Sequence, residues 1–459
     1  MANASDLRRL HAKAVTFKGG IHPAEMKEIT ENLPIRDFME PNELMVFPMI
    51  QHVGAPCKPI VKKGDYVLRD QLIGEPQGLG ANIYTSVSGT VKDVKEMLHP
   101  NGNMVMSVVI ENDHQYTTLK HEYEPASYEE LSKEEILARI KFAGIVGMGG
   151  AGFPTHVKLS PPPDKKIEYI LLNASECEPY LTSDYRVLLE DSWRVVNGFK
   201  IALSLFDDAV GRICIENNKM KAVEVIGELV QDEPKIEVTV LKTKFPEGSE
   251  KQLINAATGR EVPSGKLPAD AGCIVINVDT AVAISRAVTQ GRPLERRIVT
   301  VAGDCIPNPG NYKVRIGTSV RELIESQGEL LKQPKKIIFG GPMMGMAVDT
   351  LDLPVTKTTS CILLLSEDEV ALSPESPCIR CGKCIEACPM HLQPYLLNQL
   401  VLKRDTEGFM KYHGMDCMEC GSCSYICPAK RQLTQSFRAG KRLAQALIRA
   451  KKEQEAKKA

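Results

Sequence analysis

Eight of the fourteen cysteines lie between Cys378 and Cys427, in two runs of identical spacing. Cys378-x2-Cys381-x2-Cys384-x3-Cys388-Pro389 recurs as Cys417-x2-Cys420-x2-Cys423-x3-Cys427-Pro428. Thiolates grouped this tightly are ligands for soft metal ions or iron–sulfur clusters. The other six, Cys57, Cys177, Cys214, Cys273, Cys305 and Cys361, are scattered. A disulfide framework belongs to small secreted chains in an oxidising compartment, and a chain of 459 residues is not of that kind. The cysteine chemistry expected here is therefore metal binding.

Two such runs in tandem are the pattern of the bacterial two-[4Fe–4S] ferredoxins. Two-residue gaps let three thiolates of one loop wrap three irons of a cube, while the fourth Cys, followed by Pro, leads into a helix and reaches the other cluster. The expected ligands of cluster I are Cys378, Cys381, Cys384 and Cys427; those of cluster II are Cys417, Cys420, Cys423 and Cys388. Structural zinc, which pairs C-x2-C units in fours, is the alternative. Arg380 and Lys383 beside the first run, against Glu419 and Ser422 beside the second, predict the higher potential for cluster I.

The second concentration of unusual residues runs Gly144-Ile145-Val146-Gly147-Met148-Gly149-Gly150-Ala151-Gly152-Phe153-Pro154-Thr155. So many glycines cost backbone entropy and serve a tight path or a close ligand approach. Free N–H groups in such a turn, followed by Lys158, suit a phosphate. The loop is neither a P-loop, lacking G-K-[ST], nor a clean Rossmann fingerprint. Downstream, an apolar strand from Leu171 ends in Asn173, Ser175, Glu176 and Glu178; Gly248-Ser249-Glu250-Lys251 opens a helix; Ile276-Asn277 ends another strand. Ligands of open α/β sheets sit beyond such carboxyl ends, so these four segments predict one cofactor cleft.

The elements that must position these residues divide the chain. Residues 1–45 are mixed and carry Phe17-Lys18-Gly19-Gly20-Ile21-His22-Pro23, which reads as a Gly–Gly turn stopped by proline. Residues 46–125 hold short, evenly spaced strands, expected to form a small all-β barrel or sandwich. Within them, Val61–Val67 resembles the lipoyl and biotinyl carriers, but the turn at Gly78–Asn82 has no lysine to modify. Residues 126–295 alternate amphipathic helices with apolar runs such as Ile167–Ser175 and Cys273–Thr280, expected as buried parallel strands. Residues 296–360 return to short strands around one helix over Thr318–Leu331, a β-grasp-like unit. The cysteine runs occupy 361–440, and 441–459 is a basic tail.

Composition excludes several classes. Fifty-seven Lys+Arg against 58 Asp+Glu give no broad basic field for nucleic acid. No apolar run approaches the roughly 18 residues of a membrane span, and the start, MANASDLRRL, lacks the apolar core of a secretory signal. His156, His391, Cys177 and the trio Met343, Met344 and Met346 read as structural or packing residues rather than ligands. No proton-transferring catalytic residue is expected.

GMGGAGFPTHVK, NASECEP, GSEKQLINAATGR and INVDT together resemble the flavin-binding subunit of respiratory complex I. That resemblance implies FMN held by Gly147, Gly149, Lys158, Asn173, Ser175, Gly248 and Asn277, with Phe153, Glu178 and Glu250 facing NAD(H). The chain departs from that family at Met148 (arginine there), Ser175 (aspartate) and Ser249 (glutamate). Over nearly its full length, through FKGGIHP, the lysine-less barrel, NASECEPYLTSDYR, FGGPMMGMAV and the paired runs, it resembles the C subunits of Rnf complexes, the ion-translocating ferredoxin:NAD⁺ oxidoreductases. The architecture implied is a multidomain α/β plus α+β chain: a lipoyl-like barrel-sandwich, a complex I-like flavin domain, an SLBB-like β-grasp domain and a two-cluster ferredoxin domain. The function implied is a peripheral subunit on the cytoplasmic face of the cell membrane. It would pass electrons between NAD(H), FMN and two [4Fe–4S] clusters, beside ferredoxin-like and integral membrane subunits. A soluble flavin reductase of cobalamin or another acceptor, or an iron–sulfur relay with a vestigial flavin site, remain as alternatives.

Overall fold

The computed structural model describes residues 14–41, 44–368 and 372–458, the side chains of 456–458 excepted; the reading of the first ten residues lies outside them. Four strands, Leu44–Pro48, Met104–Asn112, Gly89–Leu98 and Tyr66–Val67, form one antiparallel sheet, and Cys57–Pro59, Leu72–Pro76 and Ile83–Tyr84 form a second. Met45, Phe47, Ile73, Ile83, Val108 and Ile110 alternate inward and share one fully buried core, the period-two pattern of strands with one dry face.

The α/β region is a parallel sheet in the order Ile236–Leu241, Val210–Glu216, Tyr169–Ala174, Cys273–Asn277. Ile170, Leu171 and Leu172 are all buried, as a strand covered by helices on both faces requires. Ser192–Ser204 and Val278–Gln290 are among the covering helices. The expected amphipathic helix begins later than Tyr128: Ser132 caps Lys133–Phe142 in a capping box with Glu135, and Tyr128–Glu130 is a separate short turn.

The third sheet has six strands, ordered Arg36–Phe38, Gly310–Arg315, Arg296–Ala302, Cys361–Leu365, Lys336–Phe339, Met346–Val348. Two of these come from segments that the sequence assigns elsewhere. Arg36–Phe38 leaves the N-terminal stretch to pair with Gly310–Arg315, and Cys361–Leu365, put at the head of the cysteine region, pairs on both its sides within this sheet. The helix expected over Thr318–Leu331 is only Val320–Glu325, because Gly328 takes φ +106°, outside helical space.

In the last region two short helices, Lys383–Glu386 and Ser422–Tyr425, follow the opening cysteines of each run. Leu433–Lys458 is one continuous helix that packs on Pro394–Leu402 and Thr406–Lys411. A buried carboxylate joins the three upstream regions. Burial opposes charge on Glu295, but Arg69 at 3.0 Å, Arg286 at 3.3 Å and Arg315 at 3.4 Å outweigh it and keep it ionised.

Candidate cofactor cleft and cysteine centre

The glycine loop is closed at its base by Gly147 N–H to Phe153 O (2.8 Å) and Gly152 N–H to Gly147 O (3.0 Å). Thr280 Oγ1 accepts from Met148 N at 2.9 Å. Behind the loop, the fully buried Arg297 donates to Met148 O (3.0 Å), Asp279 Oδ2 (2.8 Å) and Thr359 O (3.1 Å). The lysine-less barrel turn buttresses the same loop. Lys357, buried and pushed down to about 7 by desolvation, donates to Asn82 O and Gly144 O.

The structure brings nine of the ten residues implied by the resemblance into one neighbourhood. Lys158 Nζ binds Glu250 Oε1 (2.7 Å) and Val275 O (3.0 Å). Asn173 Nδ2 donates to Gly248 O at 2.7 Å, and Asn173 Oδ1 accepts from Ser175 N. Asn277 caps the helix Val278–Gln290 through Asp279 N and Thr280 N, facing Gly149, whose added Cβ would stand 3.6 Å from it. Phe153, half-buried, closes the loop. The N-terminus of a thirteen-residue helix thus stands beside Gly149 in the middle of the glycine loop, and helix N-termini and glycine turns are arrangements that receive phosphate.

The tenth residue is placed differently. Glu178, expected to face the nicotinamide, has its two carboxylate oxygens occupied by Met343 N (3.0 Å) and Met344 N (2.8 Å). Burial pushes its carboxyl up to about 7, against the two N–H donors. The Met trio expected as core packing therefore belongs to a tight loop gripped by the flavin-domain carboxylate, with Met344 and Met346 exposed.

The residues fit a bound flavin mononucleotide. Ser175 Oγ and Thr155 Oγ1 are buried without a hydrogen-bond partner, which is costly unless something else satisfies them. A Cβ on Gly248 would crowd Cys177 Sγ at 3.3 Å and Ser175 Cβ at 3.4 Å, while one on Gly150 would meet nothing within 4 Å.

Sequence reasoning missed several supports of the cleft. Glu176 accepts from Asp184 N (2.7 Å) and Tyr185 N (3.2 Å), capping the helix Ser183–Glu190. Asp184, carried on that helix, is pushed upward by burial and then by Glu176 and Asp279, and accepts from Asn277 Nδ2 at 2.6 Å. Lys27 donates to Glu176 O and Glu178 O, and Lys219 to Ser175 O. These two buried lysines hold the carbonyls of the acidic loop; only their distance in sequence hid them.

The eight clustered thiols fall into two sets. Cys384 has Cys427, Cys378 and Cys381 as charge neighbours and Cys423 has Cys417, Cys420 and Cys388; Cys388 stands between the two groups, with both Cys420 and Cys384 near it. The two loops share a backbone: Arg380 and Glu419 take φ +55° and +59°, Gly382 and Gly421 +80° and +81°. Backbone N–H groups aim at sulfur, Arg380 N at Cys378, Glu419 N at Cys417 and Leu392 N at Cys388, each 3.4 Å. Cys388, Cys417, Cys420 and Cys423 line a hollow of about 350 Å³, counting space open to solvent, whose remaining wall includes Leu392, Pro394 and Phe437. Burial pushes the Cys417 thiol up to about 12; four such thiolates need a compensating cation, which an iron–sulfur cluster supplies.

The second set sits at the seam with the cleft. Gln252 Nε2 donates to Pro389 O at 3.1 Å, Ser249 Oγ reaches Met418 Sδ at 3.7 Å, and Gly20 N donates to Ala387 O at 3.0 Å. The Gly–Gly turn of the N-terminal strap is thereby explained. Gly19 takes φ +91°, and a Cβ there would stand 2.9 Å from Cys388 O. Glu419, the acidic residue of the second cysteine loop, is ion-paired to Lys441 (2.8 Å) and Arg438 (3.2 Å) on the terminal helix. The carboxylate beside the second set is neutralised by cations from outside both runs.

Four family matches cover the chain: an RnfC barrel sandwich hybrid domain at 15–115, a Nuo51 FMN-binding domain at 140–286, an SLBB domain at 298–347 and a 4Fe-4S dicluster domain at 372–438. The C subunit of the proton-translocating ferredoxin:NAD(+) oxidoreductase complex of Clostridium ljungdahlii is 45% identical over 92% of this chain and 93% of its own length. The C subunit of the Na(+)-translocating ferredoxin:NAD(+) oxidoreductase complex of Acetobacterium woodii is 46% identical over 94% and 98%. The C subunit of the ion-translocating oxidoreductase complex of Edwardsiella ictaluri is 38% identical over 86% of this chain, which spans 50% of that longer protein.

Proposed function

The chain belongs to the family of C subunits of ion-translocating ferredoxin:NAD(+) oxidoreductase complexes, and from that premise we propose that it is the NAD(H)-reacting subunit of such a complex. In this reading FMN is held by Gly147, Gly149, Lys158, Asn173, Ser175, Gly248 and Asn277, with Phe153 and Glu250 at the nicotinamide side. Cys378, Cys381, Cys384 and Cys427 hold one [4Fe–4S] cluster, and Cys417, Cys420, Cys423 and Cys388 the other. A nicotinamide exchanges two electrons at once and a cluster one, and FMN supplies the conversion between them.

The observation that carries the reading is the seam. The Gln252–Pro389 hydrogen bond sets the helix that closes the cleft directly on the loops of the buried thiol set, so the two centres share a wall. This chain's residues bind and orient: Lys158 and the glycine N–H groups take the phosphate, Arg297 fixes the loop, and Asn277 aligns a helix N-terminus. Among the described residues no helix is long and apolar enough to cross a membrane. Attachment to the cytoplasmic face of the membrane through ferredoxin-like and integral membrane partner subunits is part of the proposal.

An optical spectrum of anaerobically purified protein, before and after NADH, tests it. Bleaching of both the flavin bands and the broad iron–sulfur absorption is expected. Cluster absorption without flavin, or flavin left oxidised by NADH, would overturn it in favour of a relay scaffold.

A further inference from the structure

Two hollows meet at the seam. One is lined by the inner thiol set, Cys388, Cys417, Cys420 and Cys423. The other, about 360 Å³ counting space open to solvent, has a wall that includes His22, Glu25, Lys27, Cys177, Glu216 and Phe245. Its mouth is polar, and His22 and Glu25 there are exposed to water. A thin apolar wall separates the two: Ile21, Phe245, Ala387 and Cys420 are buried in one cluster, with Cys177 and Met343 packed against it. Phe245 and Cys177 thus border the wet hollow and share the apolar cluster with Cys420. The N-terminal strap closes this wall and is fastened at several points. Ile21 N donates to Phe245 O at 2.8 Å, Phe245 N to Ile21 O at 2.9 Å, and Gly20 N to Ala387 O at 3.0 Å. Lys244 Nζ donates to Phe17 O at 2.6 Å and stands 3.9 Å over the Phe17 ring. The fit is close: a Cβ on Gly20 would stand 2.7 Å from Phe245 O and 2.8 Å from Phe17 Cζ.

We propose that Ile21, carried on the strap and backed by Phe245, is a solvent seal that keeps water from the inner cluster and so holds its midpoint potential low. This rests on the reading of Cys417, Cys420, Cys423 and Cys388 as ligands of a [4Fe–4S] cluster. Reduction adds negative charge to a thiolate-bound centre, and an apolar wall offers that charge no hydration. Water admitted beside the thiols would favour the reduced form and raise the midpoint. The same wall borders the cofactor cleft, where Gly248 N donates to Cys177 Sγ at 3.3 Å. A leak at Ile21 would therefore hydrate the passage between cleft and cluster as well. The outer set has no such cover: Cys378 and Cys381 are exposed, and so is Ile379 between them. Ile21 is a positioning residue in this role, acting by exclusion of water and not by contact with a substrate.

The test uses the full cluster-loaded chain, purified without air, in an EPR-monitored redox titration. Ile21→Ser, which puts a hydroxyl in the wall, is expected to raise the midpoint of the inner cluster and leave the outer one unmoved. Ile21→Val keeps the wall apolar and is expected to change neither. Gly20→Ala, whose methyl would press on Phe245 O and the Phe17 ring, lifts the strap and is expected to act as Ile21→Ser does. Ile379→Ser, a polar change at an exposed position of the outer loop, is expected to leave the inner midpoint where it is. An unmoved inner midpoint in Ile21→Ser that holds its full iron overturns the proposal, as do equal shifts from Ile21→Ser and Ile21→Val. The wild type supplies a second measurement that needs no variant to fold. After brief transfer into heavy water, deuterium modulation is expected to be weak on the inner EPR signal and strong on the outer, and equal modulation of the two overturns the seal. Iron content and the optical spectrum of each preparation report separately on the cluster assignment, so its failure is distinguishable from failure of the seal.

Discussion

Glu178 and Met343, 165 positions apart, meet in a 3.0 Å hydrogen bond in which the methionine backbone N–H donates to the carboxylate. Met344 N donates to the other oxygen. Met343 O in turn lies 3.1 Å from where a Cβ on Gly421 would stand. One carboxylate of the flavin domain thus fixes a β-grasp loop that rests on the second cysteine loop. Replacing Glu178 by Gln keeps one acceptor and turns an amide donor against an N–H. We expect a loss of about 1–3 kcal/mol, measured by chemical denaturation.

The same residue gives a pH prediction. Its carboxyl is raised from 4.5 to about 7 in the folded protein, chiefly by burial. The folded state therefore holds its proton more tightly than the unfolded state between those values. Stability from this group is fully present below about 4.5 and is lost as pH rises through about 7. Wild type should lose melting temperature relative to Glu178→Gln between pH 5 and about 7.5; parallel curves would contradict the assignment.

Arg297 is the buried tie between the glycine loop and Asp279. Arg297→Met removes the nearer of the two cations on buried Asp279, leaving Arg296 at 3.8 Å, and should cost up to about 3 kcal/mol, with weaker retention of FMN on dialysis. Arg297→Lys should restore little, since an ammonium cannot span Thr359 O, Asp279 and Met148 O as the planar fork does.

What the sequence made legible was local. The cysteine runs and glycine loop announce themselves because each packs its chemistry into about a dozen residues. The parallel strands Tyr169–Ala174 and Cys273–Asn277 were legible because burial on both faces demands unbroken apolar runs. The long-range ties were not. Nothing near Arg297 or Lys27 signals that its charge ends on a carbonyl of a distant loop, and Cys361–Leu365 carries no mark of the sheet it joins. The motif around Glu178 gives the residue but not the distant loop whose Met343 and Met344 N–H groups its carboxylate binds.

The crossed pairing of thiols makes a prediction that straight pairing does not. Cys388→Ala should abolish the same EPR signal as Cys420→Ala, though these residues lie in different runs. Cys427→Ala should match Cys384→Ala. Loss of one signal by both Cys384→Ala and Cys388→Ala would show that each run closes on itself.

The terminal helix brings cations to the second cysteine loop. Lys441 Nζ pairs with Glu419 Oε1 at 2.8 Å and also donates to Cys417 O at 2.9 Å, so a cation touches the backbone of a thiol in the inner set. Arg438 adds a second at 3.2 Å. These positions are 20–30% exposed, so solvent screens them only in part, whereas Arg380 and Lys383 have no ion-pair partner among the described residues and face water, where the interaction of charges is weakest. Positive charge near a cluster favours its reduced, more negative form. Lys441→Glu should therefore lower the midpoint of the cluster held by Cys417, Cys420, Cys423 and Cys388, and by more than Arg380→Glu lowers the other, in an EPR-monitored redox titration. Raising the salt concentration should shrink the Arg380 effect and leave most of the Lys441 effect. A larger shift from Arg380→Glu would mean that the terminal helix braces the fold without setting the potential.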